Sequence, residues 1–257
     1  MNDMRLTVLG SSGSVAGPDS PASGYLLTVP GEQPVVLDFG PGVLGALQQH
    51  SDPNAVAVML SHLHADHCLD LPGMLVWRRY HPVPATARAP MYGPGGTAIR
   101  IGAASSEFAG AVDDITDTFD VRTWVDGEAV EIGGMTVLPR RVLHPPETYG
   151  LRITGPAGEV LAFSGDSAVC DTLVTLAADA DVFLCEASWT HAPSERPPEL
   201  HLSGTEAGDI ARRAGVKSLL LTHIPPWTST EDVLAEARAA YSGPVSVARP
   251  GLVVDVA

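Results

Sequence analysis

Ser61-His62-Leu63-His64-Ala65-Asp66-His67 places three histidines and a carboxylate within six consecutive residues, and its reading decides the fold. The run before it, Ala55 to Leu60, is apolar, β-branched and of strand length, and Cys68 to Trp77 can begin a helix. The ligand-rich segment is therefore expected as a loop at the end of a buried strand. There side chains converge without disturbing a hydrogen-bond ladder. Imidazole nitrogen and carboxylate oxygen together suit zinc, manganese or iron, and clustered sites of this kind often take two ions. A lone histidine is ordinarily a structural residue; His62-x-His64-x-Asp66-His67 is a metal loop.

Length and composition bound what surrounds this loop. A chain of 257 residues, 45% hydrophobic and 18% charged, is globular and fits one α/β domain spanning residues 1–257. No apolar run reaches the roughly 18 residues of a membrane span. Met1-Asn2-Asp3-Met4-Arg5 leads straight into a strand without a signal-peptide apolar region, so the expected location is cytoplasmic. Cys68, Cys170 and Cys185 are widely spaced and odd in number, which does not suggest a disulfide framework. The net charge is −15, with 15 Lys+Arg against 30 Asp+Glu. Proteins that grip nucleic acid by its phosphates present basic faces, so a long polyanion is a poor partner. A small phosphate ester held by metal ions remains compatible with that charge.

Strands are expected over Arg5–Leu9, Tyr25–Val29, Pro34–Asp38, Met91–Pro94, Val121–Trp124, Ala129–Ile132, Met135–Arg141, Tyr149–Thr154, Glu159–Ser164, Asp181–Cys185 and Lys217–Thr222. Helices are expected over Gly42–Gln49, Gly96–Phe108, Ala168–Ala178, Ser203–Ala214 and Thr230–Tyr241. Ser203 with Glu206 three residues on reads as a capping box. Strands first, then strands alternating with helices, suggest two sheets packed face to face under outer helices.

Three further candidate ligands stand at strand ends: His144 after Val137–Leu143, Asp166 in Ser164-Gly165-Asp166-Ser167, and His223 after Leu219–Thr222. Taken singly, each has an equally good reading as a turn aspartate or a satisfied histidine. The Gly10–Ser14 loop, with Ser12, is either a phosphate cradle or a plain turn. Arg78, in the basic and aromatic cluster Trp77–Pro82, either contacts substrate or complements a helix C-terminus. His191 lies in a proline-containing loop and either lines the pocket or faces solvent.

His62-x-His64-x-Asp66-His67 resembles the signature of the metallo-β-lactamase superfamily, and that resemblance implies the αβ/βα sandwich. It implies that His62, His64 and His144 hold one divalent ion, that Asp66, His67 and His223 hold a second, and that Asp166 bridges both. Zinc is the default and manganese the alternative. The resemblance gives Cys68 no ligand role, and Asp38-Phe39-Gly40 is similar to the strand-end aspartate that supports the metal loop.

Cys185-Glu186-Ala187-Ser188-Trp189 and His201-Leu202-Ser203-Gly204 are similar to the tRNase Z and phosphodiesterase branch. There a histidine like His201 reaches the scissile phosphate and a glutamate like Glu186 orients it. The segment between His67 and His144 lacks a Gly/Pro/Lys-rich arm for tRNA, and Asp70-Leu71-Pro72-Gly73 departs from the usual continuation. From Leu9–Ser14 through His62–Trp77 to Thr222–Trp227 the chain instead resembles actinobacterial cyclic-nucleotide phosphodiesterases, atypical members of the class II group. The implied activity is hydrolysis of 3′,5′-cyclic nucleotides, cyclic AMP first, to 5′-monophosphates, with Asp66, His201 and Glu186 as catalytic residues and a homodimer as the assembly. A tRNA 3′-processing endonuclease, a lactonase or thioesterase, and a non-catalytic metal-dependent sensor are the alternatives.

Overall fold

The computed structural model describes residues 4–192 and 196–257. Its strands form two seven-stranded sheets. The first runs, edge to edge, Val253–Asp255 (β14), Arg5–Gly10 (β1), Gly24–Thr28 (β2), Val35–Leu37 (β3), Ala57–Met59 (β4), Ala89–Gly93 (β5) and Phe119–Thr123 (β6). The second runs Val245–Val247 (β13), Leu219–Thr222 (β12), Val182–Glu186 (β11), Val160–Phe163 (β10), Tyr149–Thr154 (β9), Met135–Arg141 (β8) and Val130–Ile132 (β7).

Strand alternation sorts side chains into three apolar layers. In β2, Tyr25 and Leu27 face the interior between the sheets while Leu26 faces outward; in β11, Val182 and Leu184 face inward while Phe183 and Cys185 face outward. The central layer joins the sheets, with the Tyr25 and Phe163 rings 5.7 Å apart across it. The outer face of the first sheet packs under Val43–Leu47 (α1), Leu71–Tyr80 (α3) and Thr97–Ser105 (α4). The outer face of the second packs under Asp171–Leu176 (α5), Gly204–Ala214 (α6) and Thr230–Ala240 (α7). This is the expected αβ/βα sandwich. Each buried apolar side chain contributes roughly 1.5–3 kcal/mol, which explains how a strongly acidic chain remains compact.

Each sheet changes from antiparallel to parallel pairing along its width. β1, β2 and β3 pair antiparallel and β3 to β6 parallel; β7 to β10 pair antiparallel and β10 to β13 parallel. Loops after parallel strands gather at one end of a sheet, where open α/β folds build their sites. Asp38, the His62–His67 segment, Asp166 and His223 follow such strands, and Glu186 is the last residue of one.

Two sequence expectations are corrected. The segment after His64 is not loop, because Ala65–Cys68 forms a helical turn (α2) with His64 as its extended N-cap, so Asp66 and His67 ride on that turn. The strands β13 and β14 were not anticipated; each has three residues and sits at a sheet edge, too short to show a period. The Ser203–Glu206 capping box forms with both reciprocal bonds. Among the described residues no helix is long and apolar enough to cross a membrane.

Candidate metal centre

The strand ends bring the candidate ligands into two groups that share Asp166. His62, His64, His144 and Asp166 form one; Asp66, His67, Asp166 and His223 form the other; in each, the ligand atoms lie within 4.8 Å of one another. Asp166 Oδ2 is 3.6 Å from His62 Nε2 and 3.4 Å from His223 Nε2, while its Oδ1 is 3.4 Å from His67 Nε2. Asp66 Oδ2 lies 3.0 Å from His223 Nε2. Gly165, at φ +59°, makes the turn that aims Asp166, and a Cβ there would meet the Tyr149 carbonyl at 2.7 Å.

Hydrogen bonds on the far side of each ring select the nitrogen that faces the centre. His67 Nδ1 donates to Asp38 Oδ2 at 2.8 Å, and His144 Nδ1 donates to the Leu200 carbonyl at 2.8 Å. The Ser61 hydroxyl gives its proton to Asp38 Oδ2 at 2.8 Å and so accepts from His62 Nδ1 at 3.0 Å. The Ser188 hydroxyl in the same way serves His223 Nδ1 at 2.9 Å. The Nε2 lone pairs of His62, His67, His144 and His223 are thereby left to point inward, the arrangement that imidazole ligands to metals adopt. His64 instead presents Nδ1, 3.2 Å from His144 Nε2.

Two observations test whether a cation fits. His62 Nε2 is fully buried without a hydrogen-bond partner among the described residues, a costly state for a polar atom. His67 Nε2 and His223 Nε2 approach to 3.1 Å while each ring makes a hydrogen bond from Nδ1, so with only the Nδ1 proton on each ring two lone pairs would face each other. A positive charge between them resolves the conflict. Burial holds His62 well below its ordinary pKa, which keeps it a neutral ligand. Burial opposes charge on Asp166 too, but His223, His67 and His62 outweigh it and keep the carboxylate ionised. The donor set fits divalent metal.

Backbone strain collects at the same place. Asp38 (φ 57°) and His223 (φ 56°) hold the left-handed conformation without being glycine. Gly13 lies against His223 so closely that a Cβ would meet its carbonyl oxygen at 2.2 Å.

Beside the shared carboxylate, His201 Nδ1 lies 3.1 Å from Glu186 Oε1 and 3.8 Å from Asp166 Oδ2. Glu186 is buried and also accepts from the Ser167 N–H at 2.6 Å and the Ser188 hydroxyl at 3.0 Å. Burial disfavours the His201 cation, but Glu186 overcomes this and lifts its pKa to about 9. His201 thus carries a proton at neutral pH, with Nε2 as the nitrogen not engaged by Glu186.

The expected ligands, Glu186 and His201 come together; the substrate contacts do not. Arg78 is buried and donates to the carbonyls of Pro53, Asn54 and Ala87, at the end of β4 opposite the histidines. Its charge is spent on loop carbonyls, which corrects the expected substrate contact. Ser12 pairs through its backbone with Ala22 and Ile224 and lines a cavity of about 460 Å³. The Gly/Ser loop meets the centre at Ser14 instead, whose N–H is 3.4 Å from His223 Nε2. His191 is exposed, its N–H on Glu236 and its Nδ1 3.0 Å from Ser203 Oγ, so the surface reading of that residue holds. Cys68 is buried with its thiol on the His64 carbonyl, and burial pushes its pKa up to about 11, which keeps it a thiol.

Ser188 was missed. It stands two positions after Glu186, just past the end of β11, and its hydroxyl reaches that carboxylate at 3.0 Å, but a serine gives no ligand signal in a sequence.

The family described as "Beta-lactamase superfamily domain" matches residues 34–224. An uncharacterized protein of Mycobacterium leprae is 63% identical over 253 residues, covering 98% of this chain and 89% of its own. A ribonuclease Z of Mycobacterium bovis is 30% identical over 268 residues, covering 95% of each chain. The crystal structure of the metallo-beta-lactamase fold protein YhfI from Bacillus subtilis superposes with a TM-score of 0.86 at 25% identity, over 99% of this chain and 100% of that one.

Proposed function

We propose, from the premise that the chain belongs to the β-lactamase superfamily, that it hydrolyses 3′,5′-cyclic nucleotides, cyclic AMP first, to 5′-monophosphates. The superfamily supplies the coarser activity, metal-dependent hydrolysis. The observation that carries the finer reading is the Glu186–His201 pair, 3.1 Å apart beside the carboxylate common to both ligand groups. A diester needs its departing oxygen protonated, and His201 is a proton donor already charged at neutral pH. Thioester cleavage, whose thiolate departs without a proton, has less use for one.

His62, His64 and His144 would hold one ion and Asp66, His67 and His223 the other, with Asp166 on both; zinc fits this nitrogen-rich set and manganese is the alternative. When bound, two such ions neutralise charge on the phosphoryl oxygens and acidify the attacking water. Asp66 would orient the attacking water as well as hold the ion. As the bond from phosphorus to the 3′-oxygen breaks, His201 passes its Nε2 proton to that oxygen. Glu186, fixed by Ser167 and Ser188, stabilises the imidazolium beforehand, and the proton shed by the attacking water recharges His201 through solvent afterwards.

The ribonuclease Z relative favours a second reading, a tRNA-processing endonuclease. The charge of −15 argues against it, because an acidic protein is repelled by a polyanion and gains little of the counterion release that drives such binding. Metal-loaded protein assayed in parallel on cyclic AMP, precursor tRNA and an acyl thioester tests the choice. Turnover of cyclic AMP alone is expected; preferential cleavage of the tRNA would replace this reading with the second. A homodimer, the assembly suggested by the same branch, is checked by sedimentation of the full chain.

A further inference from the structure

We propose that the cavity between Trp189 and Trp227 receives the base of the nucleotide whose phosphate is cut beside His201, an inference that rests on the phosphodiesterase reading above. The cavity is about 340 Å³, at the small end of ligand sites, and Arg196, Ser229 and Asp232 complete much of its wall. It adjoins the chemistry through one indole. Trp189 lines the cavity and also meets the His201 ring edge-on, with centroids 5.3 Å apart. A base in the cavity is therefore one ring's width from the proton donor, the scale of a mononucleotide.

Trp227 is built to stack. Of the four tryptophans it alone is exposed, at 68%. It follows the ligand His223 by four residues, across Pro225 and Pro226, whose rings fix φ and limit the freedom of the connection. The turn is closed by the Thr228 N–H on the Pro225 carbonyl at 2.9 Å and anchored by the Thr228 hydroxyl on the Ser188 carbonyl at 3.0 Å. An exposed indole on a stiffened, doubly anchored loop loses little entropy when a ring stacks on it.

The electrostatics choose a base over a phosphate. Arg196, the only cation in the wall among the described residues, is tied bidentately to Glu206 by two bonds of 2.8 Å, so its charge is already matched. Asp232 adds a carboxylate, which accepts amino and ring N–H donors and repels phosphate. The occupant is thus planar, aromatic and uncharged, and it carries N–H donors. A purine has all four properties.

Stacking a base on an aromatic ring is worth roughly 5- to 150-fold in binding. The test compares kcat/KM for cyclic AMP with kcat/KM for the abasic ribose 3′,5′-cyclic phosphate, using metal-loaded full chain. The wild type should prefer the base-bearing diester, Trp227→Ala should lower that preference about tenfold or more, and Trp227→Phe should keep most of it. A preference unchanged in Trp227→Ala overturns the subsite while leaving the phosphodiesterase reading standing. If the wild type cleaves neither diester, the phosphodiesterase reading fails. Tryptophan fluorescence with adenosine 5′-monophosphate then decides the subsite: quenching abolished by Trp227→Ala supports it, and no quenching in the wild type overturns it.

Discussion

The Ser188 hydroxyl stands 2.9 Å from Nδ1 of His223 and 3.0 Å from Glu186 Oε2. It has one proton, and both Glu186 and the His223 carbonyl, 2.9 Å away, can only accept, so the proton is shared between those two and the oxygen takes the His223 N–H. One serine thus fixes the tautomer of a metal ligand and braces the residue that charges His201. Supporting contacts of this kind are typically worth 10- to 100-fold in metal affinity. Ser188→Ala is expected to weaken zinc binding by roughly that factor, read by calorimetric titration, and Ser188→Thr to restore most of it. Equal affinity in the alanine variant and the wild type would remove Ser188 from this role.

Asp38 makes a sharper demand on its neighbours. Three donors converge on its two oxygens: the Ser61 N–H at 2.7 Å, the Ser61 hydroxyl at 2.8 Å and His67 Nδ1 at 2.8 Å. Asparagine offers one acceptor oxygen and turns an N–H toward a donor. Each buried donor left unpaired costs about 1–3 kcal/mol. Asp38→Asn should therefore unfold at lower urea than the wild type even without metal. A variant that lost only metal affinity, with its stability intact, would contradict this.

That pair of residues also shows how much the sequence could tell. The histidine loop, Asp166 and His223 were legible because metal ligands at strand ends are rare residue types at rare positions. Glu186 and His201 needed a family resemblance, since a buried glutamate and a loop histidine are each ordinary alone. Arg78 misled: beside Trp77 and Arg79 it looked like a phosphate contact, yet its partners are three carbonyls brought near only by folding. The same limit hid Trp189 and Trp227, 38 positions apart by subtraction of their numbers, which share a wall only once the loops before α6 and α7 are placed. β13 and β14 stayed hidden because three-residue edge strands are defined by the neighbour they pair with.

Metal should stabilise this fold markedly, because the ligand atoms are buried and in mutual conflict without it. A ligand at 100 times its dissociation constant adds about 2.7 kcal/mol. For a chain of this size that corresponds to a rise in Tm of roughly 5–10 °C. Chelator-treated protein titrated with zinc or manganese in a calorimetric scan should show it. The His62→Ala and His223→Ala variants should each lose much of the rise. A Tm indifferent to both metals would refute the metal centre.

His201 is predicted to matter in proportion to how badly the leaving oxygen needs a proton. On cyclic AMP, His201→Ala should cost roughly 10²–10⁴-fold in kcat. On a p-nitrophenyl diester, whose phenolate departs without help, the loss should be far smaller. Equal losses on the two substrates would mean that His201 binds or shapes the site and does not donate.

The opposite end of the second sheet yields a pH prediction that is independent of metal. Asp181, 8% exposed, accepts the Val160 N–H at 2.7 Å and pairs with Lys217, and its own carbonyl takes the Ser218 hydroxyl at 2.8 Å. It therefore ties together the starts of β10, β11 and β12, the strands whose far ends carry Asp166, Glu186 and His223. Burial raises the carboxyl's pKa, but Lys217 and the Val160 N–H outweigh burial and leave it below its ordinary value. A carboxylate depressed in the folded state contributes stability above its unfolded pKa of about 3.9, and that contribution is lost as pH falls through the folded value. Lys217 is exposed, so most of the effect is the charged hydrogen bond to Val160, about 1.5–3 kcal/mol. Asparagine keeps an oxygen for the Val160 N–H and loses only the charge, so Asp181→Asn should be less stable than the wild type by about 1 kcal/mol at pH 7, with the gap narrowing as pH drops below about 4. Urea unfolding of both proteins at pH 7 and at about pH 3 measures it, and a gap of constant size would show that Asp181 acts through packing and not through its charge.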